Sequence, residues 1–218
     1  MVDRPILFSA PMVRALLDGR KTQTRRLIAG AGWHCDPAPG GGFRWVADGG
    51  APSMPAKVRW CVGDRLWVRE AWRTLQKWDD LKPRHVMDDF DKIDFEAGGF
   101  KRNPLWAWGK KRSPLYLPRW ASRLTLIVEK VRVQRVQDIS EEDAKAEGAP
   151  YDDGTDFPVE KAPPGARHIE DGWDCARDWY ADLWNSLLGE GAFEASPWVA
   201  AITFRVIRAN IDSETVND

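Results

Sequence analysis

The chain has 218 residues, of which 43% are hydrophobic and 30% are charged, and its formal net charge at pH 7 is only -1. A chain of this length can bury one good hydrophobic core, so we expect a single domain with insertions. No run approaches the roughly 20 apolar residues that a membrane-spanning helix needs, and the N-terminal apolar run is too short for a signal peptide. These features argue against a membrane partner and predict a cytoplasmic protein.

The first predicted elements are a short strand and a helix near the N-terminus. The apolar run RPILFS ends at Ser9, which can cap a helix that has one apolar face and stops at Gly19. Farther along, the sequence VRWCVGDRLWV at residues 58–68 predicts two strand pieces on either side of Gly63.

The second half of the chain predicts a long strand, two helices and a closing strand. Residues 124–136 alternate between apolar and polar side chains as a strand does, with a change of phase near the middle that suits a bulge. Residues 138–148, DISEEDAKAEG, predict a short helix that begins with a serine cap. Residues 173–189 predict a longer helix with an apolar face that extends to Leu187, and residues 198–206 alternate as a final strand.

Cysteine and histidine give no pattern typical of a metal site. Cys35, Cys61 and Cys175 are odd in number and far apart, so they fit neither a disulfide framework nor a C-x-x-C motif. His34 lies next to Cys35, but the ligand spacing typical of zinc sites is absent. We therefore expect no metal and no cofactor.

Opposite charges are segregated along the chain although their total is nearly zero. Residues 1–72 contain 11 Lys and Arg against 6 Asp and Glu, and residues 101–136 contain 10 against 1. Residues 137–160 contain only 1 basic side chain against 9 acidic ones. This pattern indicates either a basic surface for a polyanion or a phosphate-bearing ligand, or blocks that neutralise each other in the folded protein.

Some segments do not fit a compact scaffold. We predict insertions at about residues 31–56, 73–118 and 149–172, and a C-terminal tail at 211–218. The sequence KRNPLWAWGKKRSPLYLPRW, residues 101–120, has six basic side chains among aromatic rings and no acid.

This mixture of cations and rings is typical of proteins that bind single-stranded nucleic acid, because bases stack on the rings while the cations neutralise phosphates. The alternative is that the rings only pack in the core. The predicted nucleic-acid-binding residues are Lys110, Lys111, Arg112, Trp106, Trp108, Arg119 and Trp120.

Four stretches of the chain resemble the ASCH domain family. They are GRKTQTRR at 19–26, GDRLWVREAW at 63–72, PRWASRLTLIVEKVRVQRVQDISEEDAKAEG at 118–148 and PWVAAITFRV at 197–206. The resemblance implies an α+β fold, a PUA-like β-barrel with peripheral helices over residues 1–210. Larger members similar to this chain are often encoded by phages and prophages.

That family is associated with RNA binding, and it includes small amidohydrolases that remove the acetyl group from N4-acetylcytidine. By this resemblance, their catalytic residues fall on Lys21, Thr24 and Glu147. The present chain is about twice as long as those enzymes, so its insertions could cover or remake the pocket.

Lys21 is predicted to be a general base. It lies among Arg20, Arg25 and Arg26, and nearby cations lower the pKa of a lysine, especially one that is partly buried. Direct attack by the amine would only form another amide, so the nucleophile is predicted to be the Thr24 hydroxyl or an activated water.

Glu147 ends a short helix, where the helix dipole disfavours a carboxylate, and it is predicted to donate a proton to the leaving amine. The alternative is that Lys21 is a solvated lysine, Thr24 an ordinary strand residue and Glu147 an exposed helix residue. Both interpretations are open from the sequence.

The predicted substrate-binding residues are Arg20, Arg25, Arg26, Arg65, Arg69 and Glu70. Glu70 either faces the pocket or forms an ion pair with Arg69 or with an arginine of residues 20–26, and we favour the ion pair. The sequence thus predicts recognition of a nucleoside or RNA ligand, with hydrolysis of an N-acylated cytosine and no obligate protein partner. The alternative is a non-catalytic RNA-binding module, or a ribonuclease that uses the same basic surface.

Overall fold

The computed structural model describes residues 1–29, 34–38, 41–46, 54–86, 92–100, 107–150, 173 and 175–213. In this part of the chain the strands are β1 (Asp3–Leu7), β2 (Gln23–Leu27), β3 (His34–Pro37), β4 (Phe43–Val46), β5 (Met54–Pro55), β6 (Arg65–Arg69), β7 (Trp72–Arg73), β8 (Asp94–Phe95), β9 (Thr125–Arg135) and β10 (Trp198–Ile207). The α-helices are α1 (Ala10–Leu17), α2 (Glu141–Ala146) and α3 (Ala176–Leu188). No helix in these residues is both long and apolar enough to cross a membrane.

Five strands form one sheet in the order β1-β6-β9-β10-β2. β1 pairs in parallel with β6, whereas β6 with β9 and β10 with β2 are antiparallel pairs. Two smaller sheets contain β3-β4-β5 and β7-β8. The predicted α+β class is confirmed, and within the described residues the large sheet ends at β1 and β2 without closing into a barrel.

The chain divides into two structural units. The first contains Met1–Gly19, Gly63–Ile127 and Arg205–Asp218, and the second contains Arg20–Val62 and Val128–Phe204. β9 and β10 each cross a boundary and contribute residues to both units.

In the first unit, α1 follows β1 as predicted. Ser9 is the extended N-cap residue and a proline occupies the first turn. Gly19 then adopts a φ of 77°, a left-handed conformation that favours glycine and lets the chain leave the helix. The helix buries Val13 and Leu16, which fixes it in this unit.

The predicted insertion at 73–118 forms part of the core of the first unit. It supplies Val86, Ile93, Phe95 and Leu117 to a hydrophobic cluster built around the fully buried Trp72. Much of the other two predicted insertions, and all of the C-terminal tail beyond residue 213, lies outside the described residues.

In the second unit, α2 and α3 are close to their predicted positions. The Ser140 hydroxyl caps α2 by accepting a hydrogen bond from the Asp143 main-chain N–H at 3.1 Å. α3 buries Trp179 and Tyr180, among others. Leu187, which we expected on the buried face, is 66% exposed because it lies in the last turn, where the helix has left the core.

Two strand predictions differ in outcome. β10 lies between β9 and β2 in the sheet, and its consecutive residues from Trp198 to Ile202 are all buried, so both of its faces are covered there. The first piece of the pattern at residues 58–68 is not a strand, whereas the second forms β6. β6 has strand neighbours on both sides, and residues 58–62 have none among the described residues.

Candidate functional site

Lys21 and Glu147 form a buried ion pair in the second unit. Lys21 Nζ donates one hydrogen bond to Glu147 Oε2 and one to the Glu147 main-chain oxygen, each at 2.7 Å. The two residues also form an isolated backbone bridge, so the chain itself holds them side by side. Lys21 is only 1% exposed and Glu147 only 3%. The structure therefore brings together the lysine and the glutamate that the sequence predicts to be catalytic.

Arg25 joins this pair to a second carboxylate. Its Nη1 donates to Glu147 Oε1 at 3.1 Å and to Gln23 Oε1 at 2.6 Å. Its Nη2 donates to Asp143 Oδ2 at 2.7 Å. The Arg25 side chain has 0% exposure, so its guanidinium contacts protein groups and not solvent.

The cluster follows from the periodicities of a strand and a helix. Lys21, Gln23 and Arg25 are at alternate positions at and just before the start of β2, so they share one face. Asp143 in the first turn of α2 and Glu147 at its C-cap are four positions apart, which places them on the same side of that helix. A strand face with two cations therefore meets a helix face with two carboxylates.

Arg132 on β9 completes the set of charges. Its Nη2 donates to Asp143 Oδ2 at 2.6 Å, and Gln23 Nε2 donates to Asp143 Oδ1 at 3.1 Å. Burial raises the pKa of Asp143, but these hydrogen bonds and the charge of Arg25 outweigh burial and leave it below its usual value. We call Lys21, Arg25, Arg132, Asp143 and Glu147 the charge cluster.

The environment of the charge cluster shifts the pKa of Lys21. Burial lowers the pKa of Lys21 below its usual value, and although Glu147 raises it, the charges of Arg26 and Arg25 act in the same direction as burial.

Tyr180 lies beside the charge cluster, with its ring centroid 5.7 Å from the Arg25 guanidinium carbon. Burial and the charge of Glu147 keep the pKa of Tyr180 well above its ordinary value, so its hydroxyl stays protonated.

The other predicted residues of the 20–26 stretch lie around this cluster in different ways. Arg20 Nη1 donates to the main-chain oxygens of Gly148 and Ala149 at 3.0 and 3.2 Å. Arg26 is half-buried, and burial lowers its pKa. Thr24 is buried opposite Ile202 of β10, and strand alternation places it on the other face from Arg25. A dyad of Lys21 and Thr24 stays a prediction.

Three predicted substrate-binding residues lie in the first unit instead. Arg65 binds both carboxylate oxygens of Asp3, at 2.7 and 2.8 Å. Glu70 forms the ion pair that we expected, but its partner is Arg123, at 2.8 and 2.9 Å. Both expected partners, Arg69 and an arginine of residues 20–26, were wrong, and Arg69 is unsuitable because adjacent residues at the end of a strand point to opposite faces. Burial raises the pKa of Glu70, although Arg123 acts against this shift.

The predicted nucleic-acid-binding segment is largely engaged in the first unit's own structure. Arg112 is buried and donates to the main-chain oxygens of Leu81 and Trp78, at 3.0 and 2.6 Å. Arg119 pairs with Asp3 and Asp212, each at 2.6 Å. Arg112 is therefore buried in the first unit, whereas the Arg119 side chain is partly exposed and contacts two carboxylates.

The remaining residues of that segment are divided between surface and core. Lys110 and Lys111 are exposed, and Lys111 forms an ion pair with Glu96. Trp120 packs against the hydrophobic cluster around Trp72. Trp108 is half-buried, with its ring centroid 5.2 Å from the guanidinium carbon of Arg73. Trp106 lies outside the described residues.

Four residues at or beside the charge cluster were not predicted from the sequence: Gln23, Asp143, Arg132 and Tyr180. Two of them have a recognisable signal. Gln23 is a polar residue between two cations of one strand face, and Asp143 precedes Glu147 by one helical turn. Arg132 and Tyr180 come to the cluster only through tertiary packing, so no local pattern predicts them.

The charge cluster offers no vacant carboxylate oxygen to a metal. Glu147 accepts from Lys21 and Arg25 at its two oxygens, and both Asp143 oxygens also accept hydrogen bonds. Among the residues that the structure describes, no group of three or more His, Cys, Asp or Glu side chains is placed to hold a metal ion. A comparison of the chain with protein-family models, with curated proteins and with solved structures found no match.

Proposed function

We propose that the protein is a PUA-like, ASCH-type domain that recognises a cytosine nucleoside or its counterpart in RNA and hydrolyses an N4-acyl group at the charge cluster. One observation carries this proposal. Among the residues that the structure describes, the charge cluster contains three cations, Lys21, Arg25 and Arg132, but only two carboxylates, Asp143 and Glu147. The charge of Arg26 also acts on Lys21, and this excess of positive charge at a buried lysine favours loss of its proton, which supports a role as a base.

A neutral Lys21 amine supplies the proton transfers that amide hydrolysis requires. It accepts a proton from water while the water oxygen bonds to the acyl carbon and the carbonyl oxygen becomes an oxyanion. When the carbon–nitrogen bond breaks, the same lysine, now an ammonium, returns a proton to the N4 nitrogen. The products are a carboxylic acid and cytosine, and the lysine is regenerated.

Glu147 acts in this scheme as a positioning residue. Both of its oxygens accept hydrogen bonds from cations, so it orients Lys21 rather than presenting a proton of its own. Arg25 holds the opposite oxygen of the same carboxylate and so fixes its rotation. This role differs from the proton donor that the sequence predicts for Glu147.

The alternative is that these contacts have only a structural role and join β2 to α2. One experiment distinguishes this structural role from the catalytic role. Purified protein is incubated with N4-acetylcytidine, and release of cytidine is followed by chromatography for the wild type, Lys21→Arg and Lys57→Arg. Arginine keeps the charge but cannot become neutral near pH 7, so Lys21→Arg should lose about a hundredfold or more in turnover. Lys57 is exposed in the same unit and provides the matched control.

Thermal unfolding and nucleoside affinity are measured on the same samples, so that a folding defect is distinguished from a lost base. Retained affinity with collapsed turnover supports the proposal. A wild-type protein that releases no cytidine from any N4-acylated cytosine would exclude it. Binding of labelled single-stranded RNA without deacylation would instead support the non-catalytic alternative, which Lys110 and Lys111 favour as exposed cations.

A further inference from the structure

The first unit contains a cleft that the charge cluster does not share. Its volume is about 420 Å³, within the range of sites for small molecules, and it lies between the end of β6 and the turns at Pro83–His85 and Pro114–Tyr116. Among the residues that the structure describes, those that line the cleft include the cations Arg69, Lys82 and Arg84 and no acidic residue. This cleft therefore carries a strong local excess of positive charge.

Arg69 differs from the other arginine of its strand in having no carboxylate partner in the described structure. Arg65, four positions earlier and on the same face of β6, is paired with Asp3, which raises its pKa. Arg69 donates to the Leu115 main-chain oxygen at 3.0 Å and stacks on the Trp67 ring at 4.4 Å. Its Nε is buried without a hydrogen-bond partner, and burial alone lowers its pKa.

A partly buried guanidinium without a counter-charge is unfavourable until an anion supplies one. Lys82 and Arg84 are exposed, also line the cleft and add two further cations to the same space. Arg84 Nε contacts His85 Nε2 at 3.1 Å. The cleft is arranged for a group with more than one negative charge, such as a phosphate.

The cleft also presents a flat ring to solvent. Tyr116 is 58% exposed although it is a large aromatic side chain, and it borders the cleft directly. It lies on a turn that begins with a proline and is capped by the Ser113 hydroxyl, so the ring is held on a rigid support. An exposed ring beside several cations is a combination that binds a base and its phosphate together.

We infer that this cleft binds a nucleotide, with the phosphate at Arg69, Lys82 and Arg84 and the base stacked on Tyr116. The nucleotide is either free or one unit of a single-stranded nucleic acid. The inference does not depend on the proposed hydrolysis, because its site and its ligands are separate from Lys21.

The test uses calorimetric titration of the full chain at low ionic strength with four ligands: adenosine monophosphate, adenosine, inorganic phosphate and a ten-residue single-stranded oligonucleotide. None of them carries an acyl group, so the outcome is independent of deacylation. The variants are Lys82→Gln with Arg84→Gln, Tyr116→Ala and Tyr116→Phe. Arg14→Gln removes an exposed cation on α1 and is the matched control.

We expect the monophosphate to bind much more tightly than adenosine, and inorganic phosphate to compete with it. The double variant should weaken binding by about tenfold or more, because charge-assisted hydrogen bonds to the phosphate are lost. Tyr116→Ala should cost about fivefold or more, and Tyr116→Phe should bind normally, because stacking needs only the ring. An oligonucleotide that binds more than tenfold tighter than the monophosphate would identify nucleic acid as the source of the nucleotide.

Two results would overturn the inference. One is the absence of measurable binding of both the monophosphate and the oligonucleotide to the wild type. The other is binding that Arg14→Gln weakens as much as the double variant does, since this would show only a general effect of net charge. Thermal unfolding of each variant verifies that the binding changes are not caused by loss of the fold.

Discussion

Two basic stretches, residues 20–26 and 107–120, look alike in the sequence and differ completely in the structure. In the first, Lys21 and Arg25 are buried at one place, where they contact two carboxylates of α2. In the second, Arg112 donates to main-chain oxygens, Arg119 pairs with two acids, and Lys110 and Lys111 extend into solvent. The number of cations in a stretch is therefore a poor guide to function, and the groups that each cation contacts in the folded protein are a better one.

The largest expected loss of stability concerns the first stretch, residues 20–26, and follows from removing the carboxylate that its buried cations contact. Glu147→Gln removes the charge that two buried cations share, so the free energy of unfolding should fall by about 3 kcal/mol or more. Glu142→Gln, an exposed change on the same helix, should have little effect. Urea denaturation measures both variants, and equal stabilities would contradict the buried pairing of Glu147.

In the second stretch, residues 107–120, we expect the free energy of unfolding to depend strongly on one arginine, Arg112. Arg112→Gln loses the charge-assisted hydrogen bonds to Leu81 and Trp78, so we expect a loss of about 2 to 3 kcal/mol in the free energy of unfolding. Lys110→Gln, two positions earlier and exposed, is the control. If the arginine variant were as stable as the lysine variant, the segment would be a surface feature as the sequence suggests.

The pH dependence of stability tests the direction of the Lys21 shift. Its folded pKa is lowered, so above that value the unfolded chain binds more protons than the folded one, and stability rises with pH. Between pH 7 and about 9.5, the wild type should therefore gain stability relative to Lys21→Met. Measurements stop there because Tyr180, whose folded pKa is raised, opposes the trend at higher pH. A constant difference between the two proteins would contradict the shift.

The smallest effect is expected for the exposed lysines of the second stretch. Replacing Lys110 and Lys111 together with glutamine should change the free energy of unfolding by no more than about 0.5 kcal/mol. If these lysines contact phosphates, the slope of RNA affinity against salt should become shallower by about 1.4. An unchanged slope would place any nucleic-acid surface elsewhere, with the cleft at Tyr116 as the next candidate.

Some features of the fold and of the charge cluster could be predicted from the sequence, and others could not. Short-range signals were sufficient for α1, for the Ser140 cap and for β10, because caps, glycine and alternation act over a few residues. That Lys21 and Glu147 belong to one site was predicted from a family resemblance and not from local spacing, since the two are 126 positions apart, and their ion pair was not predicted. Strand alternation would have corrected the Glu70 partner, whereas Arg132 and Tyr180 depend on packing that no local rule describes.

The most direct test of the central claim is the titration of Lys21 itself. In protein with isotope-labelled lysine, the side-chain resonance of Lys21 is assigned by its absence in Lys21→Met and is followed by nuclear magnetic resonance as pH is raised. We expect Lys21 to lose its proton at a pH below the ordinary lysine pKa of about 10.4, because burial and the neighbouring arginines disfavour its charge. A Lys21 resonance that titrates at this ordinary value or above it would show that Glu147 holds the lysine in its charged form and would contradict its role as a base.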